Sequence, residues 1–213
     1  MSLLNQIITY FQTNSGEYLN LLGEHLSISF GALVIALIIG LPLGYLSYRY
    51  KALERFITSS AQFLRIIPSL AVLFILIPIV GVGTFPALVA LVFLSLPSIV
   101  INTLVGFQEV SPLIKEVASG IGMNANQVLT RIEIPLAIPY VLNGMKLALI
   151  EIISSATLAT YIGAGGLGTL IFTGLGLYRI DLILIGGISV ALLSLLTLFL
   201  FDLLIERLQV KNG

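Results

Sequence analysis

Long uncharged intervals alternate with short polar ones along this chain. Nothing charged separates His25 from Arg49, and SISFGALVIALIIGLPLGYL within that interval can cross ~30 Å of hydrocarbon once, at about 20 residues per crossing. Ile66 to Gln108 is again free of charge and long enough for two spans. The break falls at VGVGTFP (Val80 to Pro86), where glycines and a proline predict a turn. The first of these spans starts near Phe56, because Ile66 to Ile79 alone is too short, and the second runs from about Phe85 to Phe107. A fourth begins near Leu136 and reaches the glycines of GAGGLG (Gly163 to Gly168), and a fifth lies between Leu182 and Phe201. The pattern predicts an all-α integral membrane protein of about five transmembrane helices, with residues 1–213 forming one transmembrane domain. Ahead of the first span, Glu17 to Leu26 (EYLNLLGEHL) is amphipathic, so the segment 1–26 either lies along the interface or forms a short polar lead-in. It lacks a basic start and includes QTNSGE, so no signal peptide is expected.

Composition excludes several function classes. The chain is 58% hydrophobic and 9% charged, whereas a soluble domain has roughly a quarter of its residues charged. Lys+Arg and Asp+Glu both number 10, which leaves no basic surface for nucleic acid. Cysteine is absent and histidine occurs once, so disulfides, thiol catalysis and a metal-ligand cluster are not expected. The basic residues set the direction of threading. None precedes Arg49, and Arg49, Lys51 and Arg55 cluster directly after the first span, which predicts a cytoplasmic loop there. Five spans then put Lys115, Arg131, Arg207 and Lys211 on the same side and Arg179 outside, with the N-terminus outside and the C-terminus cytoplasmic.

One stretch breaks the apolar pattern: EVASGIGMNANQVLTRIEIP, Glu116 to Pro135, within a predicted cytoplasmic loop of about 108–135. Pro112 stands near the start of a short helix that carries Leu113, Glu116 and Val117 and ends at Gly120 and Gly122. Asn124 caps a second, NANQVLTRIEI, with Val128, Leu129 and Ile132 on one side and Pro135 closing it. Two short helices about a glycine hinge make a docking knob. Periodicity alone fits an ordinary amphipathic connector equally.

The spacing Glu116-Val117-Ala118, three residues, Gly122, nine residues, Ile132, one residue, Ile134, Pro135 resembles the EAA loop of ABC-importer permeases. Val117 stands for that pattern's alanine and Ile134 for its leucine. RIIPSLAVLFILIP (Arg65 to Pro78) and YIGAGGLGTLI (Tyr161 to Ile171) resemble segments of the small permeases of glycine betaine, carnitine and choline importers. The resemblance implies the type I importer permease fold, used as a pair with an identical copy or a sister subunit in a bacterial or archaeal plasma membrane. It further implies an ATPase pair seated on Glu116, Ala118, Gly122, Ile132 and Pro135, and an extracytoplasmic solute-binding protein. ATP and Mg then belong to the ATPase, with no cofactor in this chain. Methionine-type importers are similar in size, so a small amino-acid derivative is the alternative cargo.

The chain contains no Gly-Lys dipeptide, hence no P-loop, and is read as a transport subunit rather than an enzyme. The GAGGLG glycines and Gly186-Gly187 read as hinges or close helix contacts. A passive carrier would not need the loop. An intramembrane enzyme would need a group to orient Ser155 beside Glu151, and span four offers none.

Polar groups in span four are the remaining candidates. Glu151 shares a face with Ser154 and Ser155, and Asn143, Lys146, Ser154, Thr157 and Tyr161 form a neighbouring stripe. Asn143, Glu151, Ser154, Ser155, Thr157 and Tyr161 are therefore candidates to line a translocation path, the other reading being polar glue between helices. Lys146 reads as reaching toward the cytosolic edge. The spans lack Trp and their aromatics read as dispersed rather than caged, so selectivity for a quaternary ammonium is assigned to the binding protein. His25 reads as interfacial, and Arg65 beside Pro68 as a kink with a cytosolic-end anchor or a gate contact.

Overall fold

The structure, a computed structural model, describes residues 2–212, with side chains as far as Leu208. Lys211, used above for direction, lies outside the described side chains. The described chain is helical: α1 (Leu3–Arg49), α2 (Lys51–Ile66), α3 (Ser69–Val80), α4 (Thr84–Gln108), α5 (Pro112–Gly120), α6 (Ala125–Val128), α7 (Ile134–Ala159), α8 (Gly168–Gly176) and α9 (Ile180–Asn212). A π-helical turn, Leu129–Glu133, joins α6 to α7, and a 3-10 turn, Thr160–Ile162, ends α7. Four segments are long and apolar enough to cross a membrane: α1, α4, Ala125–Ile162 and α9.

The second expected span, from near Phe56 to Ile79, is not one straight helix. It is the pair α2 and α3, bent by 98°. The break is local chemistry: Pro68 has no N–H and pushes Ile67 out of the helical region, to φ −76°, ψ 122°. The kink expected beside Arg65 is therefore present, and Arg65 Nη2 reaches Ser98 Oγ at 3.5 Å. The N-terminal segment is continuous with the helix of the first span. Residues 15–49 form one unbroken helix, and non-helical backbone occurs only at Asn14 (φ −125°, ψ 22°). Glu17 to Leu26 thus extends the helix of the first span, and its apolar side is packed: Leu21, with Tyr10, joins Leu167, Leu170, Leu182 and Ile185 in one cluster.

Helices in lipid gain little by merely sharing apolar surface, so close contact depends on small residues. Glycines supply it here. A Cβ at Gly44 of α1 would press on Thr103 and on the Val100 carbonyl of α4. One at Gly144 of α7 would lie 2.8 Å from Asn102 Cβ and 2.9 Å from the Ser98 carbonyl, also on α4. Gly106 of α4 faces Tyr140 and the Ala137 carbonyl of α7 in the same way. α4 and α7 are consequently the inner pair, with Ala32, Ala36, Leu91, Ile99, Ala148 and Ile152 at the centre of the core. Gly186 of α9 packs on Ile171 and Leu167, as expected of helix packing, whereas Gly187 faces open space.

Contacts sort the residues to two ends of the bundle. Arg49, Lys115 and Arg131 lie at the end formed by the C-terminus of α1 and the α5–α6 loop. Arg179 lies at the other, where the adjacent Asp181 carboxylate, with Arg179 Nε 3.2 Å from its Oδ1, holds the guanidinium above the usual arginine range.

Candidate functional site

The polar stretch folds as a two-helix knob, and its turns follow from sequence. Pro112 occupies the first turn of α5, where its missing N–H costs little. The helix ends in a Schellman arrangement: Gly122 N–H donates to the Ser119 carbonyl at 3.0 Å, and Met123 N–H to the Ala118 carbonyl at 3.1 Å. That closure requires a left-handed residue, and Gly122 has φ +90°. Asn124 then caps α6 in a capping box with Gln127, each side chain accepting from the other's backbone N–H at 2.9 and 2.8 Å.

One expectation is corrected here. Pro135 does not close the second helix. The backbone widens into the π-helical turn, whose Leu129 carbonyl accepts from Ile134 N–H, and continues directly into α7 with Pro135 in its first turn. A proline cannot donate to the preceding turn, and widening the helix just before it accommodates that loss. The second helix of the knob is therefore continuous with α7, while α5 remains a separate helix before Gly122.

The site residues divide by exposure. Ala118 is buried under the knob and Ile132 half-buried, while Glu116 and Gly122 face outward. Leu113 and Ile121 of the knob are 67% and 76% exposed. Beside them lies an apolar groove of about 300 Å³, lined by Leu113, Val117, Ala118, Ile121, Met123 and Ile132. An outward carboxylate here stands beside uncovered apolar residues.

A clasp that spacing did not reveal holds the knob to the bundle. Tyr48, near the end of α1, donates its hydroxyl to Glu133 Oε1 at 2.7 Å. Lys115 of α5 donates to the same hydroxyl at 3.1 Å and lies 3.7 Å from Glu133 Oε1. The Tyr48 ring stacks on Phe107 of α4 at 5.3 Å. Three helices and the π turn thus meet at one phenol.

At the opposite end, the GAGGLG glycines are close contacts. Gly163, Gly165 and Gly166 have positive φ, and Gly166 N–H donates to Glu24 Oε2 at 2.9 Å. His25 is fully buried: it sits against Gly166, with Nε2 3.1 Å from the Ile153 carbonyl. The loop folds onto α1 at this point.

The candidates of α7 separate into two groups. Asn143 Nδ2 donates to Asn102 Oδ1 of α4 at 2.9 Å, and Lys146 pairs with Asp202 of α9 at 2.7 Å, so both act between helices. Ser155 is buried, and its hydroxyl lies 3.4 Å from Glu151 Oε1. Thr157 donates to the Ser154 carbonyl. Glu151, Ser154 and Tyr161 are exposed, as are Tyr140 and Leu147, and these positions recur along one face. The aromatics expected to be dispersed are not: Phe74, Tyr161 and Phe172 come together in space.

Comparisons with known proteins agree with this architecture. Residues 29–210 match the family described as binding-protein-dependent transport system inner membrane component. The carnitine transport permease protein OpuCB of Listeria monocytogenes is 40% identical over 98% of this chain and 95% of its own length. The glycine betaine/carnitine/choline transport system permease protein OpuCB of Bacillus subtilis (strain 168) is 42% identical, over 91% of this chain and 89% of its own. The MetNI methionine ABC transporter, solved in inward-facing conformations, superposes with a TM-score of 0.81 at 23% identity, covering 90% of this chain and 95% of that one, and so shares the fold. A chain of membrane-spanning helices with this fold, matched across nearly its whole length, belongs to the binding-protein-dependent transport system inner membrane component family, as a multi-pass membrane permease of the type I ABC-importer fold.

Proposed function

We propose that this chain is the permease subunit of an ATP-driven importer of quaternary-ammonium osmoprotectants such as carnitine, choline and glycine betaine. The observation that carries the cargo class is the identity of 40% and 42%, across nearly the full length, to permeases named for those compounds. A methionine-type cargo rests on likeness of fold at 23% identity and is the weaker reading.

The knob is the coupling element. Glu116, the exposed apolar residues of α5 and the adjoining groove seat an ATPase subunit, which carries ATP and Mg. Gly122 shapes the knob, Ala118 packs beneath it, and Ile132 and Pro135 lie on the π turn and α7 that carry its displacement into the bundle. The basic residues at this end make it cytoplasmic, with the N-terminus outside. The exposed face of α7 with Glu151 and Ser154 lines the path, completed by a second permease, identical or sister. A solute-binding protein delivers cargo at the opposite end.

Uptake of radiolabelled carnitine, choline, glycine betaine and methionine into proteoliposomes holding the whole transporter tests the reading. ATP-dependent accumulation of the first three is expected. Accumulation of methionine alone, or flux indifferent to ATP, would overturn it.

A further inference from the structure

Three rings from separate parts of the sequence meet at one end of the bundle. Tyr161, in the 3-10 turn after α7, has its ring centroid 4.1 Å from that of Phe172 on α8 and 6.3 Å from that of Phe74 on α3. The planes meet at 51° and 63°, an open corner rather than a stack. Here Tyr161 is 57% exposed and Phe74 45% exposed.

The surroundings identify what such a corner suits. Tyr161 prolongs the exposed face of α7 on which Glu151 and Ser154 lie, with Glu151 roughly 15 Å further along the helix at 1.5 Å per residue. Among the described residues Glu151 has no basic partner. An unpaired carboxylate within a span is tolerated where it faces a water-filled cavity rather than lipid. The nearest basic residue on α7, Lys146, is already paired with Asp202. The face therefore offers π-electron density at one end and negative charge further in. A quaternary ammonium has no N–H to donate, and ring faces with diffuse negative charge are what can hold it.

We propose that Phe74, Tyr161 and Phe172 form a station for the quaternary-ammonium group within the permease, from which the cation passes toward Glu151. The proposal rests on the importer reading above. It adds that the permease itself recognises the cation, beyond accepting whatever is released to it.

The test uses the complete transporter in proteoliposomes with wild-type binding protein and choline as the probe. Tyr161→Phe, which keeps the ring, is expected to transport within about two-fold of wild type. Tyr161→Leu is expected to lose roughly three- to thirty-fold in maximal uptake rate, the worth of one cation–π contact, with the binding protein's affinity for choline unchanged. A series of increasingly fluorinated phenylalanines at position 161 withdraws π density with little change of shape, so uptake should fall step by step. A flat fluorination series, or a wild-type rate in Tyr161→Leu, overturns the station. Failure of the wild-type transporter to take up choline, carnitine or glycine betaine defeats the importer reading, and the station falls with it.

Discussion

The Tyr48 hydroxyl donates to Glu133 Oε1 at 2.7 Å, joining the end of α1 to the π-helical turn across 85 positions of sequence. Lys115 donates to the same hydroxyl, so the clasp spans α1, α5 and the π-helical turn before α7. Tyr48→Phe keeps the ring stacked on Phe107 and removes only the hydroxyl. A hydrogen bond to a charged group contributes about 1.5–3 kcal/mol. The expected result is a transporter that assembles with its ATPase and still hydrolyses ATP, but moves several-fold less substrate per ATP. Measuring uptake and hydrolysis in the same vesicles checks this, and an unchanged ratio would show that the clasp does not transmit force.

Gly122 closes α5 at φ +90°, with open space around its Cα. Replacing it by Ala brings no clash, so its effect comes from backbone conformation, about 1–2 kcal/mol for a left-handed L-residue. Asn tolerates such backbone better and should lose less. The expected order of uptake is Gly, then Asn, then Ala. A bulky acid, Gly122→Glu, adds charge to the docking surface and should abolish uptake by weakening ATPase association, which co-purification reads directly. Wild-type activity in all three variants would remove Gly122 from the coupling element.

Much of this architecture was legible in local sequence, and the reasons are physical. Uncharged intervals announce spans because burying charge in hydrocarbon is costly. Pro112, Gly122 and Asn124 announce the knob because caps and left-handed closures are made by neighbouring residues. Pro68 signals a break, but its 98° angle depends on how α2 and α3 pack. The candidate path residues of α7 were half legible: helical periodicity placed Glu151 with Ser154 and Ser155 and Tyr161 on a neighbouring stripe, yet could not show that Ser155 is buried or that Asn143 and Lys146 are engaged by Asn102 and Asp202. Tyr48 with Glu133, Glu24 with Gly166 and Phe74 with Tyr161 are joined only by folding, and no spacing encodes them.

The glycine contacts between helices predict a sharp contrast in stability. Gly144→Val would drive a side chain into Asn102 and the Ser98 carbonyl, and overpacking of this kind costs about 1–3 kcal/mol. Gly187 faces open space, so Gly187→Ala, in a helix, is expected to be neutral or stabilising by up to about 1 kcal/mol. Thermal unfolding of the two purified variants in one mild detergent separates them. Similar midpoints would mean that α4 and α7 can shift apart without penalty, against the close approach seen here.

Glu24 accepts the Gly166 N–H at 2.9 Å and so ties the glycine loop to α1. Glu24→Ala leaves that donor without its acceptor, at a cost of about 1–3 kcal/mol where water does not replace it. Glu24→Gln retains an acceptor oxygen and should lose less. The loop leads directly from Tyr161 to α8, so loosening it also disturbs the aromatic corner. Hydrogen exchange at residues 163–168 should therefore quicken in Glu24→Ala and only slightly in Glu24→Gln, while exchange in the α5 knob, at the other end of the bundle, stays at its wild-type rate. Exchange that quickened equally at both ends would point to global destabilisation, and the tie would lose its local meaning.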